Sequence, residues 1–159
     1  MWSDEFNGDS LNRADWNVEI HEKGWVNNEL QEYVDSAENI QVKDGKLIIN
    51  PVKKVTDGDT GSTKEAASYT SGRVSTQNKQ TFIYGRFECR AKVPKGQGYL
   101  PAFWLMANNE NVYGQWPRCG EIDCMEVMGQ ETNKTYGTIH YGNPHSQSQG
   151  TYTITDGAD

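Results

Sequence analysis

Residues 120–129 read GEIDCMEVMG and place three carboxylates, Glu121, Asp123 and Glu126, within six residues of strand-like sequence. Successive side chains of a β-strand point to opposite faces, so Glu121 and Asp123 share one face. Glu126 lies five positions after Glu121, and this odd offset would put it on the other face of a regular strand. A β-bulge at residues 124–125 would insert one residue and return Glu126 to the first face. The spacing therefore predicts a bulged strand with three carboxylates in a row.

Clustered carboxylates allow two interpretations of this strand. Like charges this close raise one another's pKa values, and the repulsion can keep one carboxylic acid protonated near neutral pH. A protonated acid beside a carboxylate suits general acid/base chemistry. A solvated acidic strand without a chemical role would carry the same residues, because most acidic side chains face water. The rest of the chain must distinguish these alternatives.

The composition limits the classes of protein to be considered. The chain has 159 residues, enough for one domain with a hydrophobic core, and a net charge of −7. This charge and the lack of a basic stripe argue against a nucleic acid partner, and no apolar run is long enough for a membrane. The first residues, MWSDEF, lack the features of a signal peptide. The protein is therefore either cytosolic or one from which a signal peptide has been removed, and we expect the second, a secreted or extracellular protein.

The three cysteines, Cys89, Cys119 and Cys124, cannot all pair within one chain. Their spacing matches no zinc motif, and we expect no disulfide framework. Cys124 is expected to pack inward as a small apolar side chain.

Short runs of β-branched and aromatic residues, separated by Gly, Asn and Asp, predict an all-β fold with little helix. The sequence KDG at residues 43–45 predicts a hairpin between strands over 39–42 and 46–52. A helical turn capped by Ser10 is predicted over 10–16, and a polar loop over 56–68, whose DGD start lacks the later ligands of a calcium loop. The other strands are predicted at residues 2–6, 29–33, 69–76, 82–93, 100–107, 120–128, 134–141 and 151–155. Strands at this spacing are typical of an antiparallel sandwich or barrel.

Two tryptophans lie close in sequence to the acidic strand. Trp104 is in PAFWLM, and Trp116 is in QWPRCGEID. An indole face beside carboxylates suits a sugar ring, which stacks its C–H groups on the indole and donates hydroxyl hydrogen bonds to the acids. The alternative, a place in the sandwich core, fits Trp104 between two apolar neighbours, whereas the loop around Trp116 favours binding. Carboxylates beside stacking surfaces indicate glycoside hydrolysis, in which retaining enzymes hold two carboxyl groups about 5–5.5 Å apart.

The stretch GEIDCMEVMG resembles the signature of glycoside hydrolase family 16, the family of laminarinases, lichenases, agarases and carrageenases. Its Glu-x-Asp-x-x-Glu pattern is similar to the bulged form of laminarinase-like members, whereas lichenases typically have Glu-x-Asp-x-Glu. Further similar stretches are WSDEFNG, NNELQEY, SGRVST and YGRFECRAKVPKGQGYLPAFWLM, so the resemblance spans essentially the whole chain. It implies an antiparallel β-sandwich of jelly-roll, concanavalin A-like type with a concave substrate cleft.

The resemblance assigns catalytic roles to the three acids. It implies Glu121 as the nucleophile and Asp123 as its assistant. Glu126 would be the general acid/base. No redox cofactor is needed for this chemistry.

The resemblance also implies a set of sugar-binding residues. Trp104 and Trp116 would line the glycone side of the cleft. Asn28 and Arg73 would hydrogen-bond sugar hydroxyls there, and His140 matches a family position near the acid/base. Without the resemblance, His140 would be interpreted as a structural histidine and Arg73 as an ordinary surface charge.

Calcium and the length of the chain complete what the resemblance implies. Many family members bind a structural calcium ion near positions that match Glu5 and the backbone of Gly45.

The chain departs from the family pattern in two places. Leu100 stands where laminarinase-like members usually have Trp, which removes one aromatic surface. The chain also stops at Asp159, before the strands that complete such a domain. We therefore expect residues 1–159 to be a single domain truncated at its C-terminus, part of a cleaved chain, or a form completed by a second fragment or a swapped copy.

These observations predict a retaining endo-hydrolase of β-glucan, with β-1,3-linked, laminarin-type polysaccharide as its substrate. An enzyme of the same family that acts on β-1,3-1,4-glucan or on a galactan is one alternative. The other is a non-catalytic carbohydrate-binding fragment, although a binding protein has no need of clustered carboxylates.

Overall fold

The computed structural model describes residues 1–55 and 67–154. The chain forms two compact units, Met1–Thr81 and Phe82–Asp159, and each has its own sheets. The polar loop predicted over residues 56–68 lies almost wholly outside the described residues, and a single domain over the whole chain stays a prediction. Among the described helices, none is long and apolar enough to cross a membrane.

The described residues of the first unit form seven short strands in three small sheets. The strands are β1 Asn17–Val18, β2 Gln31–Tyr33, β3 Ile40–Val42, β4 Leu47–Ile49, β5 Val52–Val55, β6 Ala67–Ser71 and β7 Val74–Ser75. β1 pairs with β7, β3 pairs with β4, and the third sheet has the order β2-β6-β5. The β2–β6 pair is parallel, which differs from the antiparallel pairing expected. Three further strands separate β2 from β6 in the chain, so the connection is long enough for a crossover.

The hairpin predicted around the KDG sequence is confirmed. Asp44 and Gly45 have φ angles of 52° and 68°, the left-handed conformation that both central residues of a type I′ turn require. β3 and β4 pair antiparallel on either side of this turn. The alternation of β3 directs Ile40 and Val42 into the core of the unit, where they cluster with Leu11.

The N-terminal segment corrects two predictions. Residues 2–6 form no strand, because the Asp4 carboxylate accepts a hydrogen bond from the Phe6 amide at 2.8 Å and Phe6 has a φ of 49°. Such a φ is incompatible with an extended strand. The turn predicted after Ser10 is present, but Asn12 begins it, since the Asn12 side chain accepts the backbone N–H two residues later.

The second unit contains one antiparallel sheet in the order β11-β10-β9-β8. Its elements are strand β8 Ala102–Met106, helix α1 Glu110–Tyr113, and strands β9 Glu121–Glu126, β10 Lys134–Tyr141 and β11 Ser146–Thr153. The single turn of α1 was not predicted; the side chain of Asn109 caps it. β11 begins earlier than predicted because its pairing with β10 continues through Ser and Gln residues, which carry no strand-like pattern.

The strand predicted over residues 82–93 is wrong. Apolar and charged side chains alternate there as in a strand, but no strand in the described part of the chain pairs with them. A strand needs a neighbour to satisfy its backbone hydrogen bonds, so periodicity alone does not produce one. Ile83 and Tyr84 are accordingly 97% and 89% exposed.

The inward packing predicted for Cys124 is also wrong. This thiol is exposed. Ile122 and Ile139, which pair with each other and point away from the acids, are 49% and 46% exposed. The apolar face of this sheet is therefore only half covered, and it does not enclose the thiol. Cys89 and Cys119 are free thiols as well.

Candidate active site

β9 contains the β-bulge that the odd spacing of its acids predicted. Against β10, the three steps from Asp123 to Glu126 match only two steps of the partner strand. Against β8, the register shifts at the same place, and Cys124 is skipped on both sides. The extra residue returns Glu126 to the sheet face of Glu121 and Asp123.

The register places each acid in a row with residues of both neighbouring strands. The rows are Met106–Glu121–His140, Trp104–Asp123–Thr138 and Ala102–Glu126–Tyr136. Directly opposite residues of antiparallel strands share a face, so Trp104 and His140 lie on the face of the acids. This placement excludes Trp104 from the apolar face that carries Ile122.

Asp123 lies in the middle of the cluster and is only 5% exposed. His140 Nε2 is 3.1 Å from Asp123 Oδ2, within ion-pair distance, yet none of the described groups aims a hydrogen bond at this oxygen. Burial, followed by the charges of Glu121 and Glu126, raises the pKa of Asp123 to about 6. Asp123 is thus a carboxyl group that takes up a proton close to neutral pH.

The two outer acids have different surroundings. Trp116 donates its indole N–H to Glu121 Oε2 at 2.5 Å, and its ring is 44% exposed. A charge-assisted bond of this kind fixes the orientation of the carboxylate. Burial raises the pKa of Glu126, against the opposing charge of His140 and with a smaller contribution from Glu121. A fixed carboxylate and an acid of raised pKa on one face are the two groups that general acid/base chemistry with a nucleophile requires.

One oxygen or nitrogen atom from each of Glu121, Asp123 and His140 lies within 4.8 Å of the others. This spacing is compact enough for a cation. Acid/base chemistry accounts for the same three side chains, and it also accounts for Glu126, which is outside this group.

In the first unit, Arg73 is held by a second, smaller cluster. Its Nε donates to Glu19 Oε2 at 2.6 Å, and His21 Nε2 lies 3.2 Å from the same oxygen. The guanidinium lies 5.0 Å from the ring centroid of Trp25 and 5.8 Å from that of Tyr33. Burial alone would raise the pKa of Glu19, but the Arg73 charge and the hydrogen bonds from Arg73 and His21 hold it below its usual value.

An aromatic surface accompanies this arginine. The rings of His21 and Trp25 stack at 3.5 Å with an interplanar angle of 5°, and Trp25 is 47% exposed. The Tyr33 hydroxyl accepts a hydrogen bond from Gln31 and donates one to Glu29. A fixed guanidinium beside an exposed indole is a suitable surface for a polar ring such as a sugar.

The remaining predicted residues also lie in the first unit. Asn28 is exposed in the loop before β2 and has a φ of 53°, which Asn tolerates better than most residues. A Cβ atom placed on Gly45 would lie 3.8 Å from the Glu5 carbonyl oxygen and 3.9 Å from Asn7 Oδ1. Oxygen atoms of two other residues therefore lie near Gly45, and oxygen atoms are the ligands that calcium prefers.

Several residues of these clusters were not identified from the sequence. They are Glu19, His21 and Trp25 around Arg73, and His145 beside His140. Single residues of common type carry no periodic signal, and only strand register brings them together. For His145 the signal was its position in the short turn HYGNPH after His140.

The fold and the acidic site are those of a glycoside hydrolase. A family model described as beta-porphyranase A–D, GH16 domain, matches residues 1–158. The chain therefore belongs to glycoside hydrolase family 16. It is 46% identical over 143 residues to glucan endo-1,3-beta-glucosidase of Cryptopygus antarcticus, a match that covers 89% of this chain and 50% of that protein. The chain thus spans half the length of this curated relative.

Solved structures similar to the chain include two laminarinases. The laminarinase of Rhodothermus marinus gives a TM-score of 0.84 at 35% identity, covering 98% of this chain and 61% of that one. The laminarinase catalytic domain of Thermotoga maritima gives 0.80 at 38% identity, covering 99% and 63%. These similarities confirm the all-β, jelly-roll fold class and the resemblance to laminarinase-like members of the family.

Proposed function

We propose that this chain carries the catalytic centre of an endo-acting hydrolase that cleaves β-1,3-glucan with retention of configuration. The observation that carries the proposal is the bulge at Cys124, which puts Glu121, Asp123 and Glu126 on one sheet face. The glucan endo-1,3-beta-glucosidase and the laminarinases similar to the chain support the reaction and the substrate class.

In the proposed mechanism, Glu126 begins as the acid, for which a raised pKa is suited. It protonates the glycosidic oxygen while Glu121 attacks the anomeric carbon, which releases the leaving sugar and forms a glycosyl-enzyme ester. Glu126, now a carboxylate, removes a proton from water, and the water oxygen displaces Glu121 from the anomeric carbon. Both acids then return to their starting states.

Asp123 assists this exchange of charge. When Glu121 loses its negative charge in the ester, the repulsion that raises the pKa of Asp123 decreases. Asp123 is therefore more readily ionised while the ester exists than when Glu121 is a free carboxylate. His140, at 3.1 Å from Asp123, opposes the build-up of negative charge between them.

The same proposal assigns the sugar contacts. Trp104 and Trp116 provide stacking surfaces beside the acids. Arg73, fixed by Glu19, and the exposed amide of Asn28 donate hydrogen bonds to sugar hydroxyls. The contacts made in the ground state act mainly on KM, whereas the acids act on kcat.

The test combines product stereochemistry with one substitution. Wild-type protein on laminarin should first release the β-anomer, seen by proton NMR before mutarotation. Glu121→Gln should lower the rate at which reducing ends are released by a factor on the order of 10⁴. Glu88→Gln is the matched control, because Glu88 is an exposed acid, 70% accessible, paired with Arg86. An α-anomer as first product, or full activity of Glu121→Gln, would contradict the proposal.

Galactan hydrolysis is the second candidate, and the family model favours it because its description names beta-porphyranases. Laminarin, lichenan, agarose and porphyran compared at equal mass concentration separate the substrates. The β-1,3-glucan assignment predicts that kcat/KM is highest on laminarin. Cleavage of porphyran or agarose without cleavage of laminarin would establish the galactan alternative. Binding of laminarin without release of any reducing ends would establish a carbohydrate-binding role.

Two further expectations belong to this proposal. We expect calcium near Gly45, supported by the Glu5 carbonyl and Asn7 oxygens there. Added calcium should raise the melting temperature, and Asn7→Leu should reduce that rise.

We also expect an extracellular protein, since polysaccharides of this size do not enter cells. Activity in the culture medium, compared with the cell lysate, tests this expectation.

A further inference from the structure

His140 lies between two partners, one at each ring nitrogen. Nε2 is 3.1 Å from Asp123 Oδ2, and Nδ1 is 3.0 Å from Nε2 of His145. The two imidazoles lie 5.2 Å apart with an interplanar angle of 18°. A histidine with a partner at both nitrogens has its ring orientation fixed.

His145 also contacts Trp116, the hydrogen-bond partner of the outer acid Glu121. Its ring centroid lies 5.0 Å from that of Trp116, the residue that donates to Glu121 Oε2. His145 therefore touches both the tryptophan bonded to Glu121 and the histidine that faces Asp123.

The hairpin of β10 and β11 determines where His145 lies. Pairing is continuous from Lys134 opposite Thr153 to Tyr141 opposite Ser146, so the turn between the strands is short. His145 ends this turn, five residues after His140. Its position therefore depends on backbone register, although its side chain is exposed.

The contact between the two histidines restricts where hydrogens can lie. Two ring nitrogens 3.0 Å apart form a hydrogen bond only if one carries hydrogen and the other accepts it. If His145 Nε2 donates, neutral His140 must accept at Nδ1 and carry its hydrogen on Nε2. That hydrogen is on the side of Asp123 Oδ2, a buried oxygen that otherwise lacks a donor among the described groups.

We propose that His145 is a positioning residue for the hydrolysis proposed above: its Nε2–H holds His140 in the tautomer that presents Nε2–H to Asp123. The inference rests on the proposed function and adds a residue to it. His145 does not touch the reacting atoms; it acts through His140. Its loss therefore changes kcat and leaves substrate binding intact.

The experiment compares His145→Leu with His145→Gln in the full-length natural chain. Leucine keeps apolar contact with Trp116 but has no donor, whereas the glutamine amide can still donate to His140 Nδ1. We expect His145→Leu to lower kcat on laminarin about 5- to 10-fold with KM changed less than about 2-fold. His145→Gln should restore kcat to within about 2-fold of wild type. Ser146→Ala, at the exposed first residue of β11, is the control.

Nitrogen-15 NMR of the histidine rings supplies a readout that does not depend on activity. Wild-type His140 should be the Nε2–H tautomer, His145→Leu should shift it towards a mixture, and His145→Gln should return it. An Nδ1–H tautomer in wild type, unchanged kcat and tautomer in His145→Leu, or failure of glutamine to rescue would each overturn the proposal. If wild type cleaves no β-glucan or galactan, the proposed function fails, and the tautomer still decides the role of His145.

Discussion

Glu19 in the first unit and Asp123 in the second are both largely buried carboxyl groups with opposite surroundings. Glu19 has Arg73 at 2.6 Å and His21 at 3.2 Å, and its pKa is lowered despite burial. Asp123 has two acids on its own strand as neighbours, and its pKa is raised to about 6. The Glu19 site is neutralised, whereas the acidic site keeps excess negative charge.

This difference distinguishes a site that is suited to binding from a site that is suited to a chemical reaction. A neutralised acid fixes the guanidinium of Arg73 in one orientation and so preorganises a binding surface. Repulsion among unneutralised acids lowers stability and leaves protons that can move near neutral pH. Neutralising the acid by substitution should therefore lower the stability of the protein at Glu19 and raise it at Asp123. The pH dependence of the two changes should also be opposite.

The largest expected effect comes from Glu126→Gln, which removes the proposed acid and base together. We expect kcat on laminarin to fall about 10³- to 10⁴-fold, because glutamine cannot protonate the leaving oxygen. A dinitrophenyl β-glucoside oligomer needs no such proton, so the variant should release a burst of about one phenolate per site and then slow down. Absence of that burst, with slow steady release instead, would place the acid elsewhere.

Asp123→Asn should lower activity and raise stability. We expect kcat to fall about 10- to 100-fold, since asparagine cannot take up or release a proton beside Glu121. The raised pKa means that the folded protein keeps a proton between about pH 4 and pH 6 that the unfolded chain releases, so wild-type stability falls over this window and stays lower above it. Asparagine does not ionise, and the variant should gain about 1–2 kcal/mol near pH 7 and almost nothing near pH 4.

Urea unfolding at several pH values measures this gain for Asp123→Asn. Glu88→Gln serves again as the control, because it removes one exposed acid. A gain that is equal near pH 4 and near pH 7 would mean that the pKa of Asp123 is not raised in the folded protein.

The bulge in β9 was predictable because side-chain parity is a property of the strand itself. The parity fixed which acids share a face, and an odd offset required one extra residue. The hairpin at Asp44 and Gly45 was predictable for a similar reason, since the turn type demands residues that tolerate a positive φ. Both features depend on a few consecutive residues.

Features that depend on partners were not predictable. Residues 82–93 have strand periodicity but no partner strand among the described residues, and Cys124 was expected inside although its face is only half covered. The bond from Trp116 to Glu121 and the contact of His145 with His140 depend on where loops return to the sheet. Local sequence does not specify such distances.

Glu19→Gln should have the reverse signature of Asp123→Asn. Arg73 loses its charged partner, so stability should fall by about 1–2 kcal/mol near pH 7. Since the pKa of Glu19 is lowered, its contribution is present above the unfolded pKa and is lost as pH falls through the folded value, and the deficit should shrink below about pH 4. KM for laminarin should rise about 3- to 10-fold with kcat nearly unchanged.

The control for this substitution is Glu38→Gln, which breaks the exposed pair with Lys54 at 2.6 Å. Exposed pairs contribute little, so we expect a loss of at most about 0.5 kcal/mol and an unchanged KM. A fall in kcat as large as the rise in KM for Glu19→Gln would show that the Glu19 cluster acts in the chemical step, and the distinction between the two clusters would fail.

The smallest expected effect is that of Gly45→Ala in the hairpin of the first unit. Its φ of 68° is unfavourable for alanine, and stability should fall by about 1 kcal/mol. Gly45→Asn should lose less, because Asn tolerates the left-handed region. Neither variant should alter kcat or its pH dependence, measured on laminarin beside the urea midpoint. The hairpin variant should thus lose stability and keep its kcat, whereas Asp123→Asn should gain stability and lose kcat. This contrast would show that the acids themselves lower the stability of the protein.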